Sequence, residues 1–213
     1  MKRRGFLLGA AGAATGLFLP LSGKAQQSDG VREQRGEVRV NGRAIDRRAV
    51  IRAGDEVETG PDGYLLFTLG QDAFMLRQNS RLKLEREAQN SLLVSGLRLL
   101  TGALGAVFGK RGSASLSIAA PTVTAGIRGT GCYLETRDGG TYFCTCYGTI
   151  ELAANANPRD REMLTATRHN NPRIIYAQPK DGQLFEPAPF VTHNDAEMAM
   201  LERAAGRRAP WAK

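Results

Sequence analysis

Histidine, cysteine and tryptophan are scarce in this 213-residue sequence, which holds two, three and one of them respectively. It contains no G-x-S-x-G nucleophile elbow and no H-E-x-x-H zinc pair. Neither histidine stands near a nucleophile or a paired carboxylate of recognised type, so the sequence gives no grounds for an enzyme. Long apolar runs are missing too. The uncharged stretch 5–19 spans 15 residues, short of the roughly 20 that a membrane-crossing helix needs. No stretch from Gln26 to Ala154 makes a convincing helix: Leu97, Leu99, Leu100 and Leu104 could form a helix stripe, but Gly96, Gly102, Gly105 and Gly109 interrupt it. A strong net charge is absent once the N-terminus is set aside. Four of the 29 basic residues precede Gln26, and the remaining 25 face 21 acidic ones. That mild excess argues against a nucleic-acid partner.

What is present begins with an export signal. Met1-Lys2-Arg3-Arg4 is a basic head, residues 5–19 an apolar middle, and Gly23-Lys24-Ala25 a set of small residues around a cleavage point. Residues 1–25 are expected to be a signal peptide cut near Ala25. Arg3-Arg4-Gly5-Phe6-Leu7-Leu8 follows the twin-arginine pattern R-R-x-F-L, and weak hydrophobicity with Lys24 near the cut suits that route. The exported chain is then periplasmic, in a compartment where disulfides persist and ATP, NAD and chromosomal DNA are out of reach.

Residues 26–37 read as a polar linker, 38–153 as a β domain and 154–213 as a tail. Asn41-Gly42 between alternating flanks signals a type I′ hairpin. Short strands are expected over 56–59, 64–69, 73–78 and 81–86, two more around Thr101-Gly102 within 92–108, and another over 116–120 after a basic loop at 110–115. The fold class is all-β, a roll or solenoid of short strands. Pro172, Pro179, Pro187 and Pro189 predict an irregular tail. One helix is expected over about 195–205, with Asn194 as N-cap, Glu197 closing a capping box, Met198, Leu201 and Ala205 on one face, and Asp195 complementing the helix dipole.

All three cysteines fall in one predicted hairpin, with strands over 132–137 and 141–147 around the turn Asp138-Gly139-Gly140. Cys144 and Cys146 are two apart and share a strand face. A three-residue turn sets Cys132 opposite Cys146, whereas a two-residue turn loses that alignment. A disulfide from Cys132 to Cys146 or to Cys144 therefore hangs on one residue of register. The rival is a metal site. Cys144, Cys146, His169 and His193 make a tetrahedral set of two thiolates and two imidazoles, suited to a zinc, iron or copper ion, although their separation is no standard zinc spacing. A third reading leaves three buried thiols with no ligand. Before the hairpin, Arg128-Gly129-Thr130 reads as a structural motif: glycines 126, 129 and 131 permit a sharp turn, and Arg128 is expected to fork onto carbonyls or a carboxylate, or else to contact a ligand.

Residues 51–84, I-R-A-G-D-E-V-E-T-G-P-D-G-Y-L-L-F-T-L-G-Q-D-A-F-M-L-R-Q-N-S-R-L-K-L, resemble the opening of the FecR domain, with its G-D-x-V-x-T-G start and N-S-x-L-x-L strand. Leu99-Leu100-Thr101-Gly102-Ala103-Leu104, and Pro121 followed by Ala125-Gly126-Ile127-Arg128-Gly129-Thr130, resemble its later segments, and the likeness covers about 38–152. The resemblance implies a solenoid-like β fold and a periplasmic sensing or interaction domain with a periplasmic or envelope protein as partner. Members of ferric-citrate-type systems relay a signal from an outer-membrane transporter to a cytoplasmic sigma factor. Here no cytoplasmic N-terminal domain and no retained transmembrane helix are seen, so a stand-alone exported protein is expected. The function expected first is a non-enzymatic sensing or protein-interaction module. A Cys/His metal-binding or redox-responsive protein comes second, and a cell-wall glycan binder using Tyr64, Phe67, Phe74, Tyr142 and Tyr147 third.

Overall fold

Short alternating segments closed by glycine-rich turns become strands. A computed structural model describes residues 29–87, 94–110 and 116–212; the expected signal peptide and the loop at 111–115 lie outside the described residues. In order, the strands are β1 Gly30–Arg35, β2 Val38–Val40, β3 Arg43–Ala44, β4 Glu56–Thr59, β5 Tyr64–Leu69, β6 Asp72–Leu76, β7 Arg81–Arg86, β8 Val94–Thr101, β9 Ala103–Val107, β10 Leu116–Ala119, β11 Val123–Ile127, β12 Gly131–Arg137, β13 Gly140–Ala154, β14 Arg161–Ala166, β15 Arg173–Lys180 and β16 Gln183–Pro187. Helix α1, Asp195–Ala204, follows. Asn41 and Gly42 both take positive φ, 50° and 76°, as a type I′ turn requires.

One sheet carries the strands in the order β1-β5-β6-β9-β12-β13-β11-β10-β8-β7-β4-β2-β3, with β14 and β15 paired to β13 and β16 paired to β15. β8 and β10 run parallel, while the pairs that frame β13 are antiparallel. The sheet rolls so that its halves face each other. Leu65, Phe67, Phe74, Leu76, Leu104, Leu134 and Phe143 come from one half, and meet Val57, Leu82, Leu84, Leu97, Leu99, Ile118, Ile127, Ile150 and Leu152 from the other. Each such side chain contributes about 1.5–3 kcal/mol when fully removed from water.

β13 belongs to both halves because of a bulge. Cys132 pairs with Thr145 and Gly131 with Tyr147, so Cys146 is an extra residue on the longer strand. A bulge shifts the alternation by one. Before it, Phe143 faces the main core while Tyr142, Cys144 and Cys146 face outward; after it, Ile150, Leu152 and Ala154 turn to the main core. Gly131 makes room for the bulge, since a Cβ there would lie 2.2 Å from Cε1 of Tyr147.

Two segments differ from expectation. The linker at 26–37 contains β1, which pairs with β5. Where an irregular tail is expected, β14, β15 and β16 extend the sheet. The prolines sit where no ladder donor is needed. Pro172 precedes β15, Pro179 lies where β15 and β16 lose register, and Pro187 ends the edge strand β16. The helix begins as expected, with both capping-box bonds of Asn194 and Glu197 formed. Among the described residues no helix is long and apolar enough to cross a membrane.

Candidate metal centre

The outer face of β12 and β13 gathers a second apolar cluster, in which Tyr133, Tyr142, Cys144, Cys146 and Tyr147 meet Met75, Val107, Met198 and Leu201. The turn decides which cysteines join it. Arg137 pairs with Gly140 across the two residues Asp138 and Gly139, with Gly139 at φ 74°. This places Cys132 opposite Thr145, facing the main core, and Cys144 opposite Tyr133, facing outward. The disulfide expected from a three-residue turn is therefore not formed, and all three thiols are free.

Two loops bring the histidines to the same place. His169 follows β14 in left-handed backbone, φ 52°, and its N–H donates to the Cys146 carbonyl at 2.8 Å. His193 immediately precedes the helix N-cap Asn194. The ligand atoms of Cys144, Cys146, His169 and His193 all lie within 4.8 Å of one another, and all four residues are buried. Cys144 Sγ is 3.7 Å from His169 Nδ1, Cys146 Sγ is 3.4 Å from His193 Nε2, and the two ring nitrogens are 3.0 Å apart. A tetrahedral ion with bonds of about 2.0–2.3 Å has edges of about 3.3–3.8 Å, close to these separations.

The far side of each ring is also held. His169 Nε2 is 3.1 Å from Asp195 Oδ1, and His193 Nδ1 is 3.1 Å from the Val191 carbonyl oxygen. Carboxylate and carbonyl only accept, so both outer nitrogens carry hydrogen and donate. The inner nitrogens then aim lone pairs at each other across 3.0 Å. That contact is repulsive unless a proton or a cation lies between them. An outer acceptor on each imidazole is the arrangement that orients metal-binding histidines. Tyr133 stacks on His193 at 4.4 Å and Phe190 leans on His169 at 4.3 Å, fixing both rings from the side.

Electrostatics divide the thiols. The neighbouring Cys146 thiol holds Cys144 below the usual thiol range, against burial, and both histidines add to the effect. Burial pushes Cys146 well above the usual thiol range, with the Cys144 charge adding to it. Burial likewise raises Cys132, which faces no ligand set. Asp195 is held below the usual carboxylate range by the Arg168 guanidinium, which donates to it, and by His169. A closed set of two sulfurs and two nitrogens fits one soft or borderline divalent ion and leaves no protein-free position for substrate.

A second clasp lies beside the first. Tyr147 donates to the buried Glu202 carboxylate, which also accepts from Arg207 Nε at 2.6 Å. Other expected sites disperse. Arg128 is exposed and makes no hydrogen bond or ion pair among the described residues, so the expected fork is not formed, although Gly129 does take positive φ, 71°. Thr130 is buried. Phe67, Phe74, Tyr142 and Tyr147 are buried in the two clusters, which removes most of the aromatic surface a glycan binder needs.

The sequence singled out the four residues that the structure brings together but missed their supports. Asp195 reads there as a helix-dipole acid alone, and nothing marks Tyr133, Val191 or Glu202.

Residues 55–151 match the family model described as FecR protein. A comparison with curated proteins finds no match. Among solved structures, a crystal structure described as a "putative anti-sigma factor" from Parabacteroides distasonis matches at TM-score 0.50 and 11% identity, over 62% of this chain and 58% of that one. A second crystal structure with the same description and source matches at TM-score 0.49 and 11% identity, over 69% of this chain and 64% of that one. Each match thus spans less than two thirds of the other protein, and at this identity the likeness concerns the fold.

Proposed function

Residues 55–151 of this chain are a FecR domain, and from that premise we propose a regulatory module that acts by binding another protein and carries one zinc-class ion on Cys144, Cys146, His169 and His193. The observation that carries the metal reading is the convergence of those four buried ligand atoms within 4.8 Å. Zinc suits a closed S₂N₂ set best, since it has no preferred geometry to violate and undergoes no redox change. The regulatory reading draws on the FecR domain. The anti-sigma description belongs to the solved relative and is consistent with a protein partner here. Export is supported by Arg3-Arg4-Gly5-Phe6-Leu7 and the small residues before Gln26.

The two sets of ligands have different origins. Cys144 and Cys146 lie inside the matched domain, and His169 and His193 lie beyond it. In this reading the ion joins the FecR domain to the segment that follows it.

Intact mass of the protein recovered from cells, under native and then denaturing conditions, tests these points together. A chain starting near Gln26 with one added ion, absent from Cys144→Ser, is the expected result. A mass two hydrogens below the reduced chain, with no ion, overturns the metal reading.

A further inference from the structure

The ion site and helix α1 share residues, and that sharing has a mechanical consequence. His193 is the residue before the N-cap, and Asp195, the first residue of α1, is also the acceptor that orients His169. The helix has ten residues, below the roughly 12–15 that hold together alone in water. It therefore depends on what it docks against. Met198 and Leu201 are fully buried on the outer face of the sheet. Leu201 lies over Gly105, where a Cβ would come 3.3 Å from its Cδ1. Glu197 meets Arg77 at 2.6 Å, and Glu202 closes the far end with Tyr147 and Arg207.

We infer that the bound ion is the clasp that keeps α1 on the sheet, so that α1 leaves only when the ion does; this rests on the metal reading above. His193 is two residues from the first residue of the helix, so lifting that end draws one imidazole from the ion and removes Asp195 from the other. The two thiolates stay behind on β13, a strand bonded on both sides. Ion occupancy thus sets the exposure of the apolar outer face formed by Leu66, Met75, Val107 and Tyr133. Coupling of this kind is reciprocal: whatever factor the ion adds to helix docking, docking adds to ion affinity.

Hydrogen–deuterium exchange of the full chain in zinc buffers tests the inference, with native mass spectrometry on the same samples. Amides of α1 are expected to exchange more slowly in proportion to free zinc, about 100-fold at 100 times the Kd, while main-core amides of β7 and β8 do not respond. By reciprocity Leu201→Ala, which removes no ligand, is expected to weaken zinc binding at least about tenfold. A zinc-loaded protein whose α1 exchange ignores zinc concentration, or a Leu201→Ala variant of unchanged zinc affinity, overturns the clasp and leaves the metal reading standing. A native protein that takes up no zinc overturns the metal reading itself.

Discussion

The two faces of β13 hold two kinds of interior. Phe143 and Cys144 are neighbours in the chain, yet one enters a hydrocarbon core of aliphatic and phenyl side chains between the halves of the sheet and the other enters a cluster of sulfur, imidazole and phenol. The first interior is built by the alternation of apolar residues along each strand, whichever strand it pairs with. The second is closed by contacts spanning long separations: 25 residues from Cys144 to His169, 47 from Cys146 to His193 and 55 from Tyr147 to Glu202. Local pattern specifies the one, and specific polar partners specify the other. A fold can therefore be secure in its main core while a distant segment is retained by a few directional bonds.

The sharpest way to separate the two interiors is to cut each in turn. Phe143→Ala is expected to lower unfolding stability by about 3–5 kcal/mol through the cavity it leaves. Denaturant titration measures this, and the variant that still folds keeps its ion. Cys144→Ser, one residue on, is expected to do the reverse: loss of the ion, with the main-core transition kept. Loss of both properties in either variant would mean that the two interiors form one cooperative unit. Tyr147→Phe comes next. It leaves the buried Glu202 with Arg207 as its remaining side-chain partner, and is expected to cost about 1.5–3 kcal/mol, the range for a hydrogen bond to a charged group. Thermal melting of the zinc-loaded protein reports it, and an unchanged melting temperature would remove the second clasp.

Asp195→Asn keeps the shape of the helix N-terminus but weakens the acceptor behind His169. Zinc affinity, read by chelator competition, is expected to fall by about 10- to 100-fold. The ligand charge gives this measurement a sign in pH as well. An ion must displace protons from Cys146, whose thiol burial holds protonated, so affinity is expected to rise with pH and to fall on acidification. Arg128→Ala is the smallest effect. Exposed and without a bond among the described residues, it is expected to stay within about 0.5 kcal/mol of the parent. A larger loss would restore Arg128 as a pin of the fold.

Much of this was legible in the sequence, and the boundary of legibility is physical. The Asn41-Gly42 turn, the strands from 56 to 86 and the capped helix are set by neighbours a few residues apart, and each was readable from those neighbours. The grouping of Cys144, Cys146, His169 and His193 was readable because the chain holds so few alternatives, with two histidines and three cysteines in all. The strands of the tail were not, since a proline looks the same in sequence whether it breaks a strand or sits at an unpaired edge position. The hairpin register was not either: Gly139 and Gly140 each suit a turn, and only packing decides which of them begins β13. Asp195 was hidden by having two uses, the helix dipole and the imidazole of His169, of which only the first is local.

The extra residue at Cys146 acts on β13 as a frameshift acts on a message. Removing it would leave residues 140–145 in phase and invert every side chain from Tyr147 onward, sending Ile150, Leu152 and Ala154 into the solvent or the tail and Thr149 and Glu151 into the main core. Length in this strand is thus under a stricter constraint than composition. Related chains should tolerate substitution along it far more readily than the gain or loss of a single position.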